Sequence, residues 1–137
     1  MLLDSNIIIY SVQPAYAVSL QNFISTHRPA VSAVSYVEVL GFHRLSDPDR
    51  DAFRRFFAAA RVLPIDQPVL DQAVGLRRQR RMSLGDSLVA ATALVHRLTL
   101  VTHNTADFHW VPGLVLLDPL APGGPPPAAP SPTPSTP

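Results

Sequence analysis

The sequence contains no cysteine and no lysine, and its only glutamate is Glu38. The lack of cysteine excludes disulfides, thiolate metal sites and cysteine nucleophiles. The lack of lysine excludes Schiff-base chemistry and a Walker-type phosphate loop. No apolar run approaches the ~20 residues that span a bilayer. The longest relevant stretch, Leu88 to Val95, is short and contains Thr92. The start carries no basic region of the secretory type, so no signal peptide and no membrane association are expected. With cysteine absent as well, the cytoplasm is the expected compartment.

What is present is a chain of 137 residues, 47% hydrophobic and 15% charged, with a formal net charge of +1. That length suits one domain and buries a sizeable core. All eleven basic residues are arginine, and nine of the ten acids are aspartate. The segment from Pro119 to Pro137 holds nine of the fifteen prolines and no charged side chain. Such a composition buries too little surface to offset its ordering entropy. A single folded domain over 1–119 and a disordered, proline-rich tail over 120–137 are therefore expected, the tail being a passive extension or a docking ligand.

Ahead of the tail, strand-like and helix-like segments alternate. Leu2-Leu3, Ala30–Val34, Val62–Ile65, Thr99–Thr102 and Leu114–Leu117 read as strands, the third being an edge because of Pro64. Ala15–His27, Ser35–Leu45, Asp49–Arg61, Val69–Arg81 and Ser83–Arg97 read as helices. In the first, Val18, Phe23 and Ile24 are candidate inward residues; in the third, Phe53, Phe56, Phe57 and Ala60 share a side. Phe53, Phe56 and Phe57 read as ordinary core or as the lining of a partner groove. This alternation predicts an α/β fold with helices on both faces of a mainly parallel sheet.

Four carboxylates stand out. Asp4 directly follows the first apolar run, Glu38 follows the second strand, and Asp107 follows the fourth. In a parallel sheet these strand-to-helix connections lie on one edge, where ligands bind. Ser35-x-x-Glu38, Ser83-x-x-Asp86 and Asn104-x-x-Asp107 also match a capping-box pattern, so helix capping is the competing explanation for each. Asp4 or Ser5 reads equally as a plain N-cap. Asp86 follows a helix rather than a strand, and pattern alone does not bring it to the same edge. Like charges at ~4 Å cost about 4 kcal/mol per pair at an effective dielectric near 20, so a cluster of this kind needs protons or a cation. Oxygen-only donors select Mg²⁺ or Mn²⁺. The five histidines show no paired metal-ligand spacing, and His103, beside Asn104, reads as a loop residue, with substrate contact as the alternative.

Four motifs in this order resemble a PIN-domain ribonuclease of the VapC toxin type. They are Leu3-Asp4-Ser5-Asn6; Ser35-Tyr36-Val37-Glu38-Val39-Leu40-Gly41; Leu84-Gly85-Asp86-Ser87-Leu88-Val89-Ala90-Ala91-Thr92-Ala93; and Leu100-Val101-Thr102-His103-Asn104-Thr105-Ala106-Asp107-Phe108. Pro112-Gly113-Leu114 followed by Asp118-Pro119 fits too, so the resemblance spans about residues 1–119. Ser5 stands where the family usually has threonine, and the tail is foreign to the pattern. The resemblance implies a three-layer α/β/α sandwich and metal-dependent endoribonuclease activity. It implies Mg²⁺ or Mn²⁺ on the quartet Asp4, Glu38, Asp86 and Asp107, with Ser5, Asn6, Thr102 and Asn104 orienting ligands or the substrate phosphate. Hydrolysis of this kind leaves a 5′-phosphate and a 3′-hydroxyl. The family also implies a cognate small antitoxin and a homodimer.

Arg77, Arg78, Arg80 and Arg81 form the densest basic cluster, read either as a solvated helix end that complements the dipole or as an RNA-backbone contact. Trp110 reads as a core or loop anchor, with base stacking as the alternative. Two other functions compete. An aspartyl phosphohydrolase or receiver domain also gathers aspartates around Mg²⁺, but the haloacid-dehalogenase type needs a second acid where Asn6 stands, and both groups use a lysine. A catalytically weak PIN fold that binds RNA or a partner is the non-enzymatic alternative.

Overall fold

The computed structural model describes residues 1–121. Five short strands, β1 (Leu2–Leu3), β2 (Ala30–Ser32), β3 (Val62–Leu63), β4 (Leu100–Val101) and β5 (Leu116–Leu117), form one sheet in the order β3-β2-β1-β4-β5. Every described pairing is parallel, with Leu2 opposite both Ala30 and Leu100. The connections are α1 (Ser5–Tyr10), α2 (Ala17–His27), α3 (Ala33–Leu40), α4 (Asp47–Ala59), α5 (Gln67–Gln79), α6 (Leu84–His96) and α7 (Thr105–Phe108).

Strand side chains alternate between faces, which splits the core in two. Leu2, Ala30, Leu63 and Leu100 pack with Val69, Leu76, Ala90 and Phe108 from α5, α6 and α7. Leu3, Val31 and Val101 pack with Ile7, Leu20, Val39, Phe53 and Phe57 from α1 to α4. Burying each leucine- or phenylalanine-sized side chain contributes roughly 1.5–3 kcal/mol, so two well-filled layers hold these two- and three-residue strands. The result is the expected three-layer α/β/α sandwich. β3 is an edge strand, as Pro64 requires. α6 is buried along Ser87–Ala93, and its small side chains let it lie close against both the sheet and α5.

The structure corrects three local readings. Ser35 is not a helix cap. α3 begins two residues earlier, because Ser32 accepts a hydrogen bond from the Val34 N–H, and this ends the apolar run as a strand. Val18 points outward at 76% exposure. α2 starts at Ala17; Leu20 takes the inward place expected of Val18, while Phe23 is buried and Ile24 packs against the core as expected. α4 and α5 each start two residues before the sequence-based bounds. Ser46 and Asp66 cap them through the Asp49 and Val69 N–H groups, and Pro48 and Pro68 sit in their first turns. The tail expected over 120–137 lies, apart from Leu120 and Ala121, outside the described residues.

Candidate metal-binding and catalytic site

The strand order reverses between β1 and β4. The chain leaves β1 toward β2 on one side and returns from β3 to β4 on the other. In an open parallel sheet this switch point opens a crevice beyond the carboxyl ends of the strands. Asp4 follows β1, and Thr102, Asn104 and Asp107 follow β4. Strand parity puts Asp4, Ser32 and Thr102 on the same face as Leu2, Ala30 and Leu100, the face covered by α6. α6 leads into β4 and therefore runs antiparallel to the strands. Its first turn, with Asp86, stands at the carboxyl edge, which is how a residue preceded by a helix joins carboxylates preceded by strands.

Asp4 is 3% exposed. It occupies the N-cap position of α1 without a side-chain capping bond. Its Oδ2 instead accepts a 2.8 Å hydrogen bond from the Thr102 Oγ1 hydroxyl. Thr102 Oγ1 in turn accepts from the Asn104 N–H at 3.0 Å, which fixes the direction of its proton. Burial pushes the Asp4 carboxyl up to about 6; the Thr102 hydrogen bond opposes this, and the charges of Asp86 and Glu38 add to it.

Half-buried Asp86 follows Ser83, the N-cap of α6, whose hydroxyl accepts from the Asp86 N–H. Here capping and site-building act together. The Asp86 carboxyl is also raised, by burial first, then by the Asp107 charge, with Ser83 opposing and Glu38 adding. Glu38 is exposed on α3, and its Oε1 accepts from the Ser5 hydroxyl at 2.6 Å. Ser5 also lies 2.8 Å from the buried Ser35 hydroxyl. A hydroxyl has one proton, so Ser5 spends it on Glu38 and Ser35 donates to Ser5. Asp107 is exposed on α7. Asn104 is the N-cap of that short helix but makes no side-chain capping bond. Asn6 is half-exposed at the start of α1.

Ser35 and Gly85 escaped the sequence-based choice of site residues. Ser35 looked like a cap. Gly85 is a conformational cost of about 1 kcal/mol inside a helix, and that cost was the available signal. A Cβ at Gly85 would run into Glu38 Oε2, so the missing side chain leaves room for the carboxylate beside Asp86.

Among the described residues, no three histidine or acidic side chains converge tightly enough to cage one ion. The donor set still fits a hard, hydrated cation. Mg²⁺ keeps several waters and is usually held by one or two carboxylates. Here an all-oxygen group of four acids includes two, Asp4 and Asp86, whose carboxyls are pushed up partly by the charges of neighbouring acids, a penalty that a cation relieves. The remaining candidates lie around this edge. Arg77, Arg78, Arg80 and Arg81 line an open depression of about 770 Å³ at the end of α5. Half-exposed Trp110 packs against the core and donates its indole N–H to the Asp107 carbonyl at 3.2 Å, the anchoring role expected of it. His103 pairs with Asp118 at 3.0 Å, as a loop residue.

A PIN domain family model matches residues 1–114. No curated protein matches the sequence. A chain of a toxin–antitoxin complex from Klebsiella pneumoniae is 26% identical, with a TM-score of 0.69 over 86% of this chain and 96% of that one. A chain of a VapBC complex from Rickettsia felis, bound to a DNA fragment from its promoter, is 20% identical, with a TM-score of 0.72 over 84% and 95%. A chain of a DNA-bound VapBC complex from Salmonella typhimurium is also 20% identical, with a TM-score of 0.72 over 86% and 96%. With the family model spanning all four carboxylates, the chain belongs to the PIN domain family.

Proposed function

We propose that this protein is a Mg²⁺- or Mn²⁺-dependent endoribonuclease and the toxin of a toxin–antitoxin pair. The observation that carries the reading is the grouping of Asp4, Glu38, Asp86 and Asp107 at the switch-point crevice, with the carboxyls of Asp4 and Asp86 raised by burial and by neighbouring acids. Asp4, Glu38, Asp86 and Asp107 would hold the divalent cation, which when bound would lower the pKa of water and offset charge on the phosphoryl oxygens.

The protein's own groups prepare that chemistry. Thr102 fixes the Asp4 carboxylate, and Ser35 and Ser5 in series fix Glu38. Ser83 holds the first turn of α6 and with it Asp86. Gly85 keeps the space between Glu38 and α6 open. No side-chain nucleophile is needed, which agrees with the missing cysteine and lysine.

The matched toxin–antitoxin complex favours an antitoxin as the partner, and the homodimer implied by the family resemblance is part of the same proposal. Among the described residues no helix is long and apolar enough to cross a membrane.

The test is to incubate purified protein with total RNA, with and without Mg²⁺, alongside Asp4→Asn. Metal-dependent internal cleavage that is lost in the variant is expected. Cleavage that survives EDTA, or survives the substitution, overturns the proposal.

A further inference from the structure

The arginine cluster differs from an ordinary solvated helix end in one respect: two of its members are anchored. The Arg80 guanidinium carbon lies over the Trp110 ring, 5.3 Å from its centre, in cation–π contact. Arg77 Nε donates to the Met82 carbonyl at 3.3 Å, which leaves its terminal nitrogens outside that bond. Arg80 ends α5 in extended backbone rather than continuing the helix, so it does not act as a dipole cap within the last turn.

The stack also joins the two elements that carry acids. Arg80 stands on the turn that runs through Ser83 into Asp86. Trp110 follows α7 and is tied by its indole N–H to Asp107. A guanidinium held over an indole has two uses for a nucleic acid: its plane stacks on a base and its fork of N–H groups takes a phosphate.

We propose that the Arg80–Trp110 stack is a subsite for single-stranded RNA flanking the carboxylate crevice. An unpaired base lies on the outer face of the Arg80 guanidinium, and Arg77, Arg78 and Arg81 take the adjoining phosphates. Single strands are favoured over duplex because the stacking plane needs an unstacked base. The inference rests on RNA being the substrate, as proposed above, and it assigns to this protein the place where the strand enters.

Trp110 is the only tryptophan in the sequence, so its emission reports on this subsite and no other. The full chain in EDTA is titrated with a short uridine oligomer, with an abasic oligomer of equal length, and with a polyglutamate peptide. Quenching by the uridine oligomer is expected, with binding about tenfold tighter than that of the abasic strand, the worth of one stacked base. Arg80→Lys, which keeps the charge and loses the plane, is expected to lose that tenfold difference while keeping the salt dependence shared by both oligomers. Arg80→Ala is expected to weaken both.

Equal binding of uridine and abasic oligomers overturns the inference, as does an Arg80→Lys variant indistinguishable from the parent. Equal quenching by polyglutamate overturns it in favour of an acidic peptide site. Base-dependent quenching without Mg²⁺-dependent cleavage supports the subsite and removes the nuclease proposal. Cleavage with no change in Trp110 emission removes the subsite alone.

Discussion

The α-carbon of Gly85 faces the Glu38 carboxylate so closely that a β-carbon there would collide with Oε2. The contact joins α6 to α3 across the crevice, so the backbone of one helix sets the position of an acid on another. Gly85→Ala should therefore separate stability from function. Helix propensity favours alanine by up to about 1 kcal/mol, which offsets local strain and leaves the melting temperature within a few degrees of the parent. Displacement of Glu38 should lower Mn²⁺ affinity and cleavage by at least roughly tenfold, a shift of about 1.4 kcal/mol. Calorimetric Mn²⁺ titration beside a thermal melt checks both; a parent-like affinity would mean that Glu38 is not held there for the cation.

Asp4→Asn should stabilise the protein in EDTA while ending metal-dependent cleavage. At pH 7 the buried carboxylate is ionised although its pKa in the fold, about 6, lies well above the usual 3.8. A shift of that size corresponds to about 3 kcal/mol, taken as an upper limit. Asparagine keeps an acceptor for Thr102 and carries no charge. Thermal melts at pH 7.5 in EDTA should show a rise of several degrees for the variant, shrinking as the pH is lowered to 5.

The parent's own pH dependence has a definite sign. Between about 3.8 and about 6 the folded state holds a proton on Asp4 that the unfolded chain has released. This contribution to stability is complete below the lower value and is lost as pH rises through the upper one. Without divalent cations, the Asp4 contribution thus makes the melting temperature fall between pH 5 and 7. With saturating Mg²⁺ the slope should reverse, because the ion binds the ionised carboxylate and is displaced by protons below pH 6. Parallel melts with EDTA and with Mg²⁺ across that interval provide the check.

Thr102→Val removes the donor to Asp4 and the acceptor for the Asn104 N–H in one step. A cost of roughly 1–3 kcal/mol is expected from the buried groups left without partners. The pH at which cleavage reaches half its plateau should move up, because the hydrogen bond that opposes the rise of the Asp4 carboxyl is gone. Thr102→Ser keeps the hydroxyl and should restore the profile, which separates a role at Asp4 from simple loss of packing.

Much of this architecture was legible in the sequence, and the reasons are local. Strand ends followed by acids, as at Leu3-Asp4 and in the run from Thr102 to Asp107, carry their meaning in a few residues. So does Ser83, whose hydroxyl caps α6 as the pattern said. Pro64 placed β3 at an edge. Ser35 misled because a serine before a carboxylate looks the same whether its hydroxyl meets a backbone N–H or the side chain of Ser5, thirty residues away in the chain. Val18 misled because an apolar residue at the first turn of α2 looks inward by composition, whereas the buried stripe runs through Leu20 and the expected Phe23. Gly85 stayed silent because its role is an empty volume. The position of Asp86 depended on the direction of α6 against the sheet, a property of topology that no single segment carries.

The bond between Thr102 and Asp4 spans 98 residues. β1, made from the first residues of the chain, has β4 as one of its two neighbours. Long-range parallel pairing is slow to form, because the chain must lose loop entropy before any contact compensates. During synthesis, then, the amino-terminal strand waits for one of its partners until about residue 100 has emerged, and the crevice has only one wall until that moment. Assembly of the proposed site is timed by topology: Asp4 precedes its hydrogen-bond partner Thr102 by most of the sheet, and the pair forms only once β4 has joined β1.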